Sequence, residues 1–197
     1  YGPVAQAARL SAFLKTEAPQ TALLVGHSMG GMISGLLTAE HPEQVQRIVF
    51  MSSAGVAFNE NDFARQVLKG YNPFAEYEAD ALLSFMKTYV FADPPYIPKA
   101  LINVIVAQRA AKKEFERTVF TQIRTGPEAF LLQQRLPDIT QPVGLLWCDK
   151  DRIIDPSAAE VFAKGLQRSE TRILSGCGHM PMMEQPAQVA AFLLSRF

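Results

Sequence analysis

The sequence predicts an α/β protein: a mostly parallel sheet with helices on both faces, and a helical insertion between strands. Three observations carry this expectation. A short apolar run without polar alternation at residues 21–25 suits a strand buried on both faces, and residues 45–51 read as a second strand. A helical stretch joins them, and the order strand, helix, strand implies a right-handed crossover between parallel strands. From about Gly55 to Pro137, helical periodicities run between prolines and no convincing strand is found.

The elements follow in order. Val4, Ala7, Ala8, Leu10, Ser11 and Leu14 recur at helical spacing, so residues 3–16 read as an amphipathic helix that ends before Pro19. Residues 21–25 (TALLV) form the first strand. Residues 29–40 are small and apolar, and this helix closes at His41-Pro42, where proline cannot continue it. Residues 45–51 (VQRIVFM) form the second strand. The insertion is punctuated by Pro73, Pro94, Pro95, Pro98, Gly126 and Pro127. It holds eight of the 13 phenylalanines, most of which helix packing accounts for, but the runs LLSFM at 82–86 and LINVIV at 101–106 are more apolar than single-faced helices need. The sheet resumes at 143–147. A helix follows at 156–166, with Asp155 as N-cap and Pro156 at the first helical position. Residues 171–174 form a short strand, Gly176-Cys177-Gly178 a turn, and 186–197 a closing helix. The organisation is therefore a core from 1–54, an insertion from 55–138 and the rest of the core from 139–197.

With 197 residues, 48% of them hydrophobic, the chain has ample material for such a core. Its 19 basic and 19 acidic residues balance, which gives no reason to expect nucleic acid or an acidic membrane surface as a partner. No uninterrupted apolar stretch is long enough to span a bilayer. Cys148 and Cys177 belong to no CxxC pair or metal spacing, and two free thiols are expected. Both follow neighbouring strands, so the geometry leaves a disulfide open.

The chemistry concentrates at Gly26-His27-Ser28-Met29-Gly30. A serine on a sharp strand-to-helix turn needs small neighbours, which the flanking glycines supply. Its hydroxyl is lifted clear of the sheet, and the N–H of Met29, at the positive end of a helix, is aimed at a forming oxyanion. A serine nucleophile requires a base, itself oriented by a carboxylate. There are three histidines. His27 is expected to pack under the turn, and His41 to serve a helix end. His179, in a glycine-rich loop after the last strand, is the candidate base. Asp149, Asp151 and Asp155 follow the strand at 143–147. Asp155 has a sufficient role as a cap, and Asp151, in the middle of its loop, is preferred over Asp149 by position. The chain order Ser28, Asp151, His179 is that of one known arrangement of such triads.

These segments resemble the α/β-hydrolase superfamily: GHSMGG at 26–31, LLWCDKD at 145–151, and GCGH at 176–179 running on to Glu184-Gln185-Pro186. The family's acid commonly falls in a W-G-x-x-D pattern; here Cys148 replaces the glycine, and the count still reaches Asp151. Within the superfamily the chain looks most like monoacylglycerol-lipase-like esterases with a helical cap. The resemblance implies a serine hydrolase acting on medium- or long-chain acyl esters, with Ser28, His179 and Asp151 as triad, no cofactor and no metal. A lipid surface would be met through the substrate. It also implies N-terminal strands and a His-Gly loop carrying a second oxyanion donor. The sequence opens on Tyr1 without them, so these are expected upstream.

Two alternatives stay open. The same triad serves carbon–carbon bond hydrolases and perhydrolases, whose substrates call for polar groups in the cap; Arg65, Arg109, Lys112, Lys113 and Arg117 are available there. A non-catalytic ligand-binding module would keep the fold and pocket. A serine at the elbow disfavours the epoxide hydrolases and dehalogenases that use aspartate.

Overall fold

The structure, a computed structural model, describes residues 1–18 and 22–195. The expected helix stop at Pro19, strand residue Thr21 and helix end at Arg196 and Phe197 lie outside them. Four strands, β1 (Ala22–His27), β2 (Val45–Met51), β3 (Val143–Cys148) and β4 (Ser169–Leu174), pair in parallel in the order β1-β2-β3-β4. Helices α1 (Pro3–Glu17) and α2 (Met29–Glu40) flank β1, and α8 (Ser157–Gly165) links β3 to β4. Helices α9 (Pro181–Glu184) and α10 (Pro186–Leu194) close the chain. Between β2 and β3 lie α3 (Asp62–Leu68), α4 (Ala79–Phe85), a π-helical turn at Met86–Val90, α5 (Lys99–Ala110), α6 (Lys113–Thr125) and α7 (Leu131–Arg135).

The two central strands feed two cores because alternate side chains leave a strand on opposite faces. Ile48 and Phe50 of β2, with Leu145 and Trp147 of β3, meet Met32 and Leu37 of α2 and Phe162 of α8. Val49, Met51, Leu146 and Cys148 face the other way, onto Val189 and Phe192 of α10. Every residue of β3 is buried, as the unbroken apolar run requires. By contrast, five of the six residues of β4 are exposed, which identifies it as an edge.

In the insertion, the rings of Phe63, Phe85 and Tyr89 pack together with centroids 5.4–6.3 Å apart, fixing α3 against α4 and the π-turn. Asp62 accepts from the Tyr89 hydroxyl at 2.8 Å. The run LINVIV in α5 buries Ile102 but leaves Leu101 and Val104 half exposed. Arg65, Arg109 and Arg117 are paired with neighbouring acidic residues. No helix among the described residues is long and apolar enough to cross a membrane.

Two expectations are corrected. The cysteines are not free: Cys148 and Cys177 form a disulfide with Cα atoms 5.2 Å apart. Register is the reason. Cys148 ends β3 level with Leu174 at the end of β4, and the following turn folds Cys177 back beside it. The second correction concerns the last inter-strand helix, which starts at Ser157 rather than Pro156. The N-cap position accordingly falls on Pro156 rather than Asp155, and Asp155, one residue before it, accepts from the Ser157 N–H at 2.9 Å.

Candidate active site

Ser28 lies between β1 and α2 with φ 53° and ψ −125°, a left-handed backbone that a residue with a Cβ adopts only at a cost of about 1–3 kcal/mol. The turn is over-determined by its surroundings. The Ser28 N–H donates to the Met51 carbonyl at 3.0 Å, and the Ser28 carbonyl accepts from Gly31 and Ala54, each at 3.0 Å. The end of β2 and the buried Ser52-Ser53 step after it thus brace the elbow. Sequence reading missed this brace; its only signal was a run of small residues directly after a parallel strand.

Packing around the turn revises the reading of its glycines. A Cβ on Gly26 would stand 2.5 Å from the Gly31 Cα and 2.8 Å from the Gly30 carbonyl. One on Gly31 would collide with the Ser53 side chain, whereas one on Gly30 would meet nothing within 4 Å. The tight positions are therefore Gly26 and Gly31; Gly30 faces open space. Met29 opens α2, where first-turn N–H groups lack intrahelical acceptors.

His179 and Asp151 arrive from the ends of β4 and β3. The Asp151 side chain is fully buried, and its Oδ1 accepts from the N–H groups of Ile153 at 2.9 Å and Ile154 at 3.0 Å. These bonds offset the desolvation of a buried carboxylate. Its Oδ2 lies 2.9 Å from His179 Nδ1, and Oδ1 lies 3.1 Å away. On the far side of the ring, His179 Nε2 lies 3.0 Å from Ser28 Oγ. An ionised carboxylate only accepts, so Nδ1 carries the proton and Nε2 is left to accept from the Ser28 hydroxyl. Ser28, His179 and Asp151 are therefore in continuous hydrogen-bonding contact.

Asp149 is engaged elsewhere, accepting from the Ser175 hydroxyl at 2.9 Å and the Gly176 N–H at 2.7 Å. Desolvation raises its pKa, but these bonds outweigh that and hold the carboxyl below the usual range. His41 pairs with Glu43 at the end of α2.

His27 is closer to the chemistry than expected. Its Nε2–H donates to the His179 carbonyl at 2.7 Å, and the two rings lie 4.8 Å apart. Burial, then the neighbouring His179, lower its pKa below 6.5, against smaller raising effects from the His179 carbonyl and Asp151. The unfolded chain therefore takes up a proton near pH 6.5 that the folded chain resists. The stability that neutral His27 contributes is full above that pH and is lost as pH falls through the folded value. Urea unfolding of wild type and His27→Gln between pH 7.5 and 5 should show the smaller loss in the variant. Parallel curves would contradict the assignment.

Comparison with known proteins places this geometry in context. The model of the alpha/beta hydrolase family matches residues 1–192. A monoacylglycerol lipase of Bos taurus, ABHD6, is 28% identical over 182 residues, covering 87% of this chain and 53% of the relative. Lipase 1 of Psychrobacter immobilis is 30% identical over 195 residues, covering 93% and 58%. The chain thus spans about half the length of the curated relatives it matches. A solved membrane phospholipase A, described as a bacterial virulence factor, superposes with a TM-score of 0.90 at 32% identity, covering 99% of this chain and 64% of that one. A parallel sheet that carries its serine elbow after β1 and loops bearing Asp151 and His179 after β3 and β4, together with a family match over nearly every residue, means that this chain belongs to the alpha/beta hydrolase family.

Proposed function

We propose that this chain carries the active site of a serine esterase of lipase type, with medium- or long-chain acyl esters such as monoacylglycerols as substrates. The observation that carries the reading is the relay from Ser28 Oγ to His179 Nε2 at 3.0 Å and from His179 Nδ1 to Asp151 at 2.9 Å. Ser28 attacks the ester carbonyl while His179 takes its proton, and Asp151 stabilises the imidazolium. The oxyanion is held by the Met29 N–H. Collapse expels the alcohol, protonated by His179, and leaves an acyl-Ser28 ester. Water, activated by the same imidazole, then releases the acid and restores the serine.

The substrate class is supported by the insertion, residues 55–138, read as a cap. Tyr96, Leu101 and Val104 are exposed on it, and Leu83, Met86, Phe91, Pro94 and Ile97, with Lys87 beside them, line a largely apolar cavity of about 280 Å³. Such a wall suits an acyl chain better than a charged group. Pairing of Arg65, Arg109 and Arg117 with acidic neighbours takes weight from the carbon–carbon bond hydrolase alternative. A p-nitrophenyl ester series on the full-length protein tests the reading. Octanoate and longer esters should give the higher kcat/KM; a sharp preference for acetate would overturn the acyl-chain assignment.

A further inference from the structure

We propose that Glu184 is a positioning residue that ties the loop of His179 to the helical insertion, so that the base's place depends on the insertion's. The inference rests on the triad reading above. Glu184 ends the single-turn helix α9, five residues after His179. Its two carboxylate oxygens serve different parts of the molecule. Oε1 accepts from the Gly178 N–H at 2.8 Å, next to the base. Oε2 accepts from Ala92 at 2.8 Å and Asp93 at 3.3 Å, in the segment that leaves the π-turn of the insertion.

A second bond runs parallel to this strap. The His179 N–H donates to the Val90 carbonyl at 2.8 Å. Gly178 shows how close the two backbones lie: a Cβ there would stand 2.7 Å from the Val90 oxygen and 2.8 Å from the Ala92 nitrogen. Position 178 is glycine because another backbone occupies the space a side chain would need.

The consequence is mechanical. Hydrogen bonds to an ionised carboxylate are about twice as strong as neutral ones. Here they join segments more than 80 residues apart in sequence, with the base between them. Displacing residues 90–93 pulls on Gly178 and His179, and the Nε2 of His179 must stay near the Ser28 hydroxyl. A misplacement of about 1 Å costs on the order of 10²-fold in rate.

The test uses Glu184→Ala and Glu184→Gln in the full-length protein. Three readouts are taken: kcat and KM on a short p-nitrophenyl ester, fluorophosphonate labelling of Ser28, and amide hydrogen exchange. The alanine variant should lose about tenfold to a hundredfold in kcat, with KM within about twofold. Exchange should quicken at Ala92, Asp93 and Gly178, while α2 and β3 keep their protection. Glutamine offers one acceptor oxygen and can hold one side only, so it should fall between alanine and wild type.

Wild-type kcat in Glu184→Ala, or a loss of kcat with unchanged exchange at Ala92 and Asp93, would overturn the proposal. Faster exchange throughout α2 and β3 in both variants would also overturn it, by making Glu184 a general stabiliser. Failure of the underlying triad reading shows separately, as a wild-type protein that does not label at Ser28.

Discussion

Replacing Ser28 with alanine is expected to lower kcat for ester hydrolysis by a factor on the order of 10⁴–10⁶, with little change in folding stability. The size follows from the contacts. Ser28 Oγ is the atom that His179 Nε2 faces at 3.0 Å, and alanine leaves nothing to acylate. In the proposed mechanism the three residues act as a unit, so His179→Ala should cost nearly as much, and the double variant little more than either alone. Stability behaves differently because the strained backbone is held by neighbours rather than by the hydroxyl. Alanine inherits the φ of 53°, whereas Ser28→Gly relieves it and should melt at or above the wild-type temperature. Steady-state kinetics beside thermal melts check both statements. An alanine variant with more than a hundredth of wild-type kcat would remove Ser28 from the chemistry.

The second large effect is expected from the disulfide. Cys148 stands three residues before Asp151, and Cys177 two residues before His179, so the bridge joins the two loops that carry them. The bridged residues are 29 apart in sequence. Loop-closure entropy for such a separation is worth about 3–4 kcal/mol of stability. Cys148→Ala/Cys177→Ala should therefore unfold at a markedly lower urea midpoint, with a somewhat steeper slope because the unlinked unfolded chain exposes more surface. Activity should fall before global unfolding, because Lys150 and Cys177 also share a backbone bond at 3.1 Å that the bridge keeps in register. An unchanged midpoint, or a wild-type midpoint insensitive to reductant under unfolding conditions, would contradict the role assigned to the bridge.

The parts of the fold that were legible in the sequence share a physical cause. β2 and β3 are flanked by helices on both faces, so their apolar runs stand out, and prolines mark the ends of several helices. β4 read short because it lies at an edge, and its first residues, Ser169 and Glu170, bury no apolar surface. The elbow was visible as a pattern, but Gly30 was credited with a constraint that packing assigns to Gly31. The disulfide was hidden because it depends on the register of β3 against β4 and on the fold-back of one turn. Asp151 was preferred over Asp149 by its place in a loop and by the family's W-G-x-x-D count; the distances separate them through bonds that no spacing reports. Glu184 and His27 stood inside segments that carried the resemblance, but their bonding partners were not readable there. His27 reaches the His179 backbone from 152 residues away, and Glu184, close by in sequence, ties it to Ala92 and Asp93 in the insertion.

The most direct measurement of the central claim is covalent. The full-length protein is treated with a fluorophosphonate probe, digested, and the modified residue located by mass spectrometry. A single adduct on Ser28, formed rapidly in wild type and slowed at least a hundredfold by His179→Ala, is the predicted result. No adduct in the folded protein, or an adduct on another serine with Ser28 untouched, would contradict the account.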